Sequence, residues 1–146
     1  MASIQRTFTQ GKLGLADRSI DWVGGTIEVA LFDSLQAFNA IEPTYMDQLL
    51  VTATEWVGTG YSRQAVTGRS IALLDGEVEY YGETSFAAIE ASGGLLLRYA
   101  VYYENNGSDP TNRVICVGGW SGDITPDGTL QELIPSGSGA VMRIKG

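Results

Sequence analysis

Apolar and polar residues alternate along much of the chain. In "TIEVALFD" (26–33), Ile27, Val29 and Leu31 fall on one side and Glu28, Ala30 and Phe32 on the other. A period of two predicts a strand, and Gly24 and Gly25 supply the turn before it. The longest apolar run is "GGLLLRYAVYYEN" (93–105). Its faces read Leu95, Leu97, Tyr99, Val101, Tyr103 and Leu96, Arg98, Ala100, Tyr102, Glu104; both are largely apolar, which predicts a central strand covered on both sides. "YSRQAVTGRSIALL" (61–74) reads as a strand interrupted at Gly68 by a bulge. "EVEYYG" and "TSFAAIE" read as two short strands flanking Gly82, and "NRVICVGGW", "TLQELI" and "AVMRI" complete the set.

Asp75–Gly76 and Asn106–Gly107 are strong turn dipeptides. Between residues 33 and 56 the pattern is ambiguous: Pro43 breaks any continuous helix, and "MDQLLVTATEW" fits a strand or a turn of helix. One helix is expected near the start, around Thr9 to Ala16, weakened by Gly11 and Gly14. The expected fold is therefore all-β: a single domain over 1–146, an antiparallel sandwich or barrel-like body of about eight or nine strands. Residues 1–22 are expected to form an N-terminal arm or short helix.

With 146 residues and 19 glycines, the chain is long enough for one core without a metal or disulfide staple. The single cysteine, Cys116, sits in an apolar strand, where a buried inert thiol is the expected state. Nine basic and 17 acidic residues give a formal charge of −8. The surplus is uneven: five basic and seven acidic residues up to position 73, then four and ten. A chain that grips nucleic acid needs a basic face to displace counterions from phosphates, so no nucleic-acid partner is expected. The start has no basic patch before an apolar stretch, and no long apolar run follows, so neither a signal peptide nor a membrane partner is expected. The expected place of synthesis is a cytoplasm.

Candidate chemistry is sparse. The absence of histidine removes histidine-dependent triads and zinc sites. "GTGYSR" lacks the third glycine and the lysine of phosphate-cradling loops. "SGDITPDG" (121–128) places Asp123, Thr125, Asp127 and Gly128 like the start of a calcium loop. The twelfth position from Asp123, however, is Ile134 where a bidentate carboxylate belongs. A hairpin turn accounts for the stretch better, and "NGS" at 106–108 is likewise read as a turn. No catalytic residue, cofactor or metal ligand is assigned. The tyrosines of "EYY" and "RYAVYYE" either favour strands or line a partner face, and one of each adjacent pair is expected to lie away from the core.

Taken in order, "GKLGLADRSIDWVGGTIEVALFD", "GTGYSRQAVTGRSI", "LLLRYAVYYENN", "RVICVGGW" and "DITPDGTLQELIPSGSGAVMRI" resemble small virion structural proteins of tailed bacteriophages. The similarity runs from about Gly11 to Ile144. In that group a tryptophan precedes the final turn, and here "TLQELIPSGSG" has none. The resemblance implies a non-enzymatic all-β virion protein, a head decoration (cement) protein on the capsid exterior. Its implied partners are the major capsid protein and other copies of itself. The alternative is a tail-associated module touching host-surface glycans through tyrosines such as Tyr81 or Tyr103. The interface is expected at the N-terminal segment, Phe8 and Leu13 included, and at Tyr81 and Tyr103.

Overall fold

A computed structural model of the protein describes residues 4–34, 43–86, 88–91, 96–128, 131–133 and 140–145. The elements in chain order are β1 (Ile4–Thr7), α1 (Thr9–Ala16), β2 (Ile27–Asp33), α2 (Met46–Thr52), β3 (Gly58–Thr59), β4 (Gln64–Ala65) and β5 (Thr67–Leu74). There follow β6 (Glu77–Phe86), β7 (Glu90–Ala91), β8 (Leu97–Glu104), β9 (Arg113–Ile124), β10 (Gln131–Leu133) and β11 (Ala140–Lys145). The fold is all-β, antiparallel and sandwich-like, and its sheets do not close into a barrel.

The main sheet has the order β1-β9-β8-β2-β4. β8 lies between β2 and β9, as its two-sided apolar pattern predicts, and β2 keeps the expected faces. Ile27, Val29 and Leu31 join one core, whereas Ala30 and Phe32 join the other. In the second sheet β6 pairs with β5, β10 and β11. Because β5 and β11 both pair with residues 77–81 of β6, they flank it on opposite edges. Tyr80 and Phe86 of this sheet, with Val141 and Met142, pack against the main sheet together with Trp22 and Trp56. The opposite face of the main sheet is covered by α2 and Phe8.

Several expectations change in physical detail. Gly82 does not divide two strands: β6 runs through it, with Tyr80, Gly82, Thr84 and Phe86 buried on one face. A Cβ on Gly82 would lie 2.4 Å from Val66 Cγ1, so the glycine makes room for a core valine from β4's end. In β9 the partner register skips Ile115. This bulge turns both Ile115 and Cys116 toward the sandwich core, while Val114 and Val117 face α2. A second register break, between Leu97 and Tyr99, puts Leu97 with Ala100 and Tyr102 rather than with Tyr99.

The ambiguous stretch contains α2, whose Met46, Leu49 and Ala53 recur at the three-to-four spacing of a buried helical stripe. Gln48 Oε1 accepts from the Thr44 and Tyr45 backbone N–H groups at 2.8 and 3.1 Å, satisfying donors at its start. Residues 35–42 lie outside the described residues. The bulge at Gly68 is present, with φ +60 and a register shift between Thr67 and Ser70. Asp75 and Gly76, at φ 52 and 78, form the tight β5–β6 hairpin turn. Asn106–Gly107, by contrast, belongs to a longer loop between β8 and β9.

The N-terminal segment is not a free arm from Ile4 onward. β1 is the edge strand beside β9, and the helix spans Thr9–Ala16 as predicted. Its glycines serve close contacts, Gly14 with the Ile20 side chain of the α1–β2 connection and Gly11 with the sheet. A Cβ on Gly11 would stand 2.6 Å from the Ile115 carbonyl oxygen and 2.7 Å from its Cα, so α1 lies directly against the β9 backbone.

Gly11→Val is therefore expected to destabilise the fold by about 1–3 kcal/mol through overpacking against backbone that cannot yield. Gly122→Ala, whose added Cβ meets nothing within 4 Å, is expected to stay within about 0.5 kcal/mol of the parent. Urea denaturation of both variants measures the contrast.

Candidate functional site

Of the four side chains expected at an interface, two are core residues. Phe8 is 0% exposed and Tyr103 is 1% exposed, so the expectation that they form open surface is corrected. Phe8 is drawn in because its N–H donates to the Ile115 carbonyl at 2.9 Å, fixing the ring beneath α2. Tyr103 faces α2's side of the main sheet, and its hydroxyl donates to Glu28 at 2.7 Å. Leu13 is 55% exposed on α1, and Tyr81 is half-buried with its hydroxyl donating to Glu79. Both Tyr102 and Tyr103 are buried. Alternation does place them on opposite faces, but both faces of β8 are covered. Leu13 and Tyr81 come from α1 and β6, and the structure does not gather the four residues into one patch.

The calcium-like stretch is not a hairpin turn either. β9 ends at Ile124 and β10 pairs with β6, so the segment crosses from one sheet to the other. The crossing is tied to residues 89–91: Asp127 bridges to Glu90, and the Gly128 N–H donates to the Ile89 carbonyl at 2.8 Å. Gly128 takes φ 91, as a turn glycine does. Asp123 stands 3.8 Å from Arg98. Among the described residues no group of three or more Asp, Glu, Cys or His side chains is placed to hold a metal ion.

An acid–base cluster that the sequence reading did not single out is built by the loop after α2. The Arg63 fork grips both oxygens of Glu55, Nε to Oε1 and Nη2 to Oε2, each at 2.9 Å. It also donates to Asp109 at 2.6 and 3.2 Å, and its guanidinium carbon lies 5.3 Å from the Tyr103 ring centre. Tyr61 donates to Glu55 at 2.6 Å and accepts from the Leu31 N–H. Burial, then Glu55, pushes the Tyr61 phenol far above its ordinary range. Burial and the Glu28 bond do the same to Tyr103. Phenols held neutral, with an always-charged guanidinium between two carboxylates, make a clamp rather than an acid–base pair. It ties this loop to β2 and to the β8–β9 loop. The only sequence sign of it is the Tyr61/Arg63 pair in "GYSR", because Glu55 and Asp109 are brought there by tertiary folding.

The surface feature with mixed character is a cleft of about 480 Å³ between the α1–β2 connection and the β5–β6 hairpin. Leu15, Ile20, Trp22 and Ile71 give it apolar walls, Tyr80 lies within it, and Arg18 and Asp21 line it as charged, exposed groups. Trp22 is fixed by its Nε1–H donating to the Tyr81 carbonyl at 2.9 Å and by an edge-on contact with Tyr80, ring centres 5.7 Å apart. Asp21 Oδ1 accepts from the Val23 and Gly24 N–H groups, shaping the turn there. Arg18, at φ 63, makes no ion pair among the described residues. Beyond the cleft the hairpin carries Leu73 and Leu74 at 75% and 50% exposure.

Compared with protein-family models, with curated proteins and with solved structures, the chain finds no match.

Two outcomes are expected of the residues just described. Hydrogen bonds from Arg63 hold the Asp109 carboxyl below its ordinary value of 3.8. A carboxylate lowered in the fold stabilises above its unfolded-chain pKa, and that contribution fades as pH falls through the folded value. Arg63→Met should cost about 1–3 kcal/mol at neutral pH and return the Asp109 titration toward 3.8, followed by carboxyl carbon NMR. Burial also pushes the Cys116 thiol far above its ordinary range. A chromogenic disulfide reagent at pH 8 should leave the native chain unlabelled and label its single thiol once denaturant unfolds it.

Proposed function

We propose that this chain is a non-enzymatic structural protein of a tailed-bacteriophage virion, a head decoration protein that clamps the capsid exterior with other copies of itself. The virion part of this reading rests on the ordered motif similarity from about Gly11 to Ile144. The structural observation that supports a docking role is the exposed apolar β5–β6 hairpin, with Ile71, Leu73 and Leu74 at 47%, 75% and 50% exposure. Ile71 and Leu73 share one face of the strand and Leu74 takes the other, and exposed apolar side chains gathered on an otherwise acidic chain mark a surface that works against another protein. The formal charge of −8 supports an exterior station, since packaged DNA would repel it. The ionic and phenolic groups of the Arg63 cluster are spent on holding loops, which agrees with a scaffold rather than a reaction centre. The glycan-binding alternative is weakened by Tyr103, whose ring is filled into the core.

The test is addition of the purified protein to capsid shells lacking it. Saturable binding to the outside of the shells and a raised melting temperature are expected, read by electron microscopy and calorimetry. Shells that take up no protein, or that take it up without a gain in heat resistance, would overturn the reading.

A further inference from the structure

The cleft and the hairpin tip belong to the same chain and pair an exposed base with an exposed acid; the other charged group lining the cleft, Asp21, already accepts from the Val23 and Gly24 N–H groups. Near the tip Leu73 is exposed on the same strand face as Ile71, Leu74 is exposed on the other, and the Asp75 carboxylate follows at the turn. The cleft offers apolar walls from Leu15, Ile20 and Ile71 beside the Arg18 guanidinium. Arg18 and Asp75 both lack ion-pair partners among the described residues. Tyr80, only 7% exposed, also lines the cleft. A chain cannot fill its own cleft with its own tip. Ile71 already lines that cleft, and Asp75 lies four residues further along an extended strand, about 13 Å away.

We propose that the β5–β6 hairpin tip of one copy seats in the cleft of a second copy, with Leu73 against Ile20 and Ile71 and Asp75 paired to Arg18. The contact joins two different patches of one chain, so it is head-to-tail and builds a ring where the rotation closes. Desolvating Leu73 supplies the attraction, and the charge pair fixes which end of the hairpin enters. The occupant is a second copy because one chain carries both an acid and a base that make no ion pair among the described residues, each beside exposed or cleft-lining apolar surface. This names the surface for the self-association in the proposed function and rests on that reading.

Sedimentation velocity on the full chain tests it. The parent should sediment as a multiple of 15.6 kDa. Arg18→Glu and Asp75→Arg should each weaken association at least about tenfold by setting like charges together, and the double reversal R18E/D75R should restore it. Leu73→Glu, at an exposed site that leaves the fold intact, should dissociate the assembly to single chains. A parent that remains at 15.6 kDa at every concentration, single reversals that leave the assembly unchanged, or a double reversal that fails to rescue it would each overturn the hairpin contact. A solitary parent that still coats and stabilises shells would sink this contact and leave the virion reading standing. An assembly rescued by the double reversal but ignored by shells would do the opposite.

Discussion

β8 carries apolar side chains on both faces, and this two-sided dryness dictates the rest of the architecture. Ala100 and Tyr102 point to one core while Val101 and Tyr103 point to the other. A central strand of this kind needs hydrogen-bonded neighbours on both edges and a cover on each face. β2 and β9 provide the edges. The second sheet, with Trp22 and Trp56, covers one face, and α2 with Phe8 covers the other. The bulge at Ile115 serves the same end. By turning two successive residues inward it lets β9 supply Ile115 and Cys116 to the sandwich core while leaving its backbone free to receive α1 at Gly11.

Polar groups collect where the two covers end. Glu104, only 8% exposed, is tied by Arg113 at 2.9 Å, and Arg113 also reaches Ser19 in the α1–β2 connection. Arg69 donates to the Trp22 and Gly25 carbonyls at 2.8 and 2.5 Å, joining β5 to the same connection. With Arg63 bridging Glu55 and Asp109, three arginines pin three loops onto the sheets. Each guanidinium satisfies several acceptors at once, which a lysine could not do with one geometry. These ties carry modest energy individually, but they fix which loop lies where and therefore hold the cleft walls in place.

The sequence made the strands of the main sheet legible because their side chains report burial directly. β2 and β8 have patterns that only a covered sheet satisfies, and Asp75–Gly76 encodes its own turn geometry. Gly82 was misread because a glycine inside a strand marks either a break or a close neighbour, and only the position of Val66 decides between them. Phe8 and Tyr103 were misplaced for a related reason. An aromatic residue has the same identity on a surface as in a core, and what covers it comes from α2, a helix of only seven residues whose buried stripe is too short to separate from a strand pattern in the sequence. The Arg63 cluster was invisible since its carboxylates are eight and 46 residues away from the arginine. The faces of β8 were right in kind but shifted at Leu97, because a register break leaves no mark in hydropathy.

The β5–β6 hairpin departs from the rule that the rest of the chain obeys. Among the described residues β5 pairs only with β6, and its last four residues bear no charge. Sheet edges are usually blunted by lysine, proline or inward-facing charge, since an uncharged edge invites indiscriminate pairing. Here the protection is placed elsewhere. Arg69 is bound back to backbone at one end, the Asp75 carboxylate stands at the other, and the whole chain carries a formal charge of −8. Mutual repulsion opposes random association of such chains, so an encounter succeeds only where a cation compensates the acid at the tip. In the proposed contact Arg18, beside the cleft, supplies that compensation, which would turn an aggregation hazard into a directional contact.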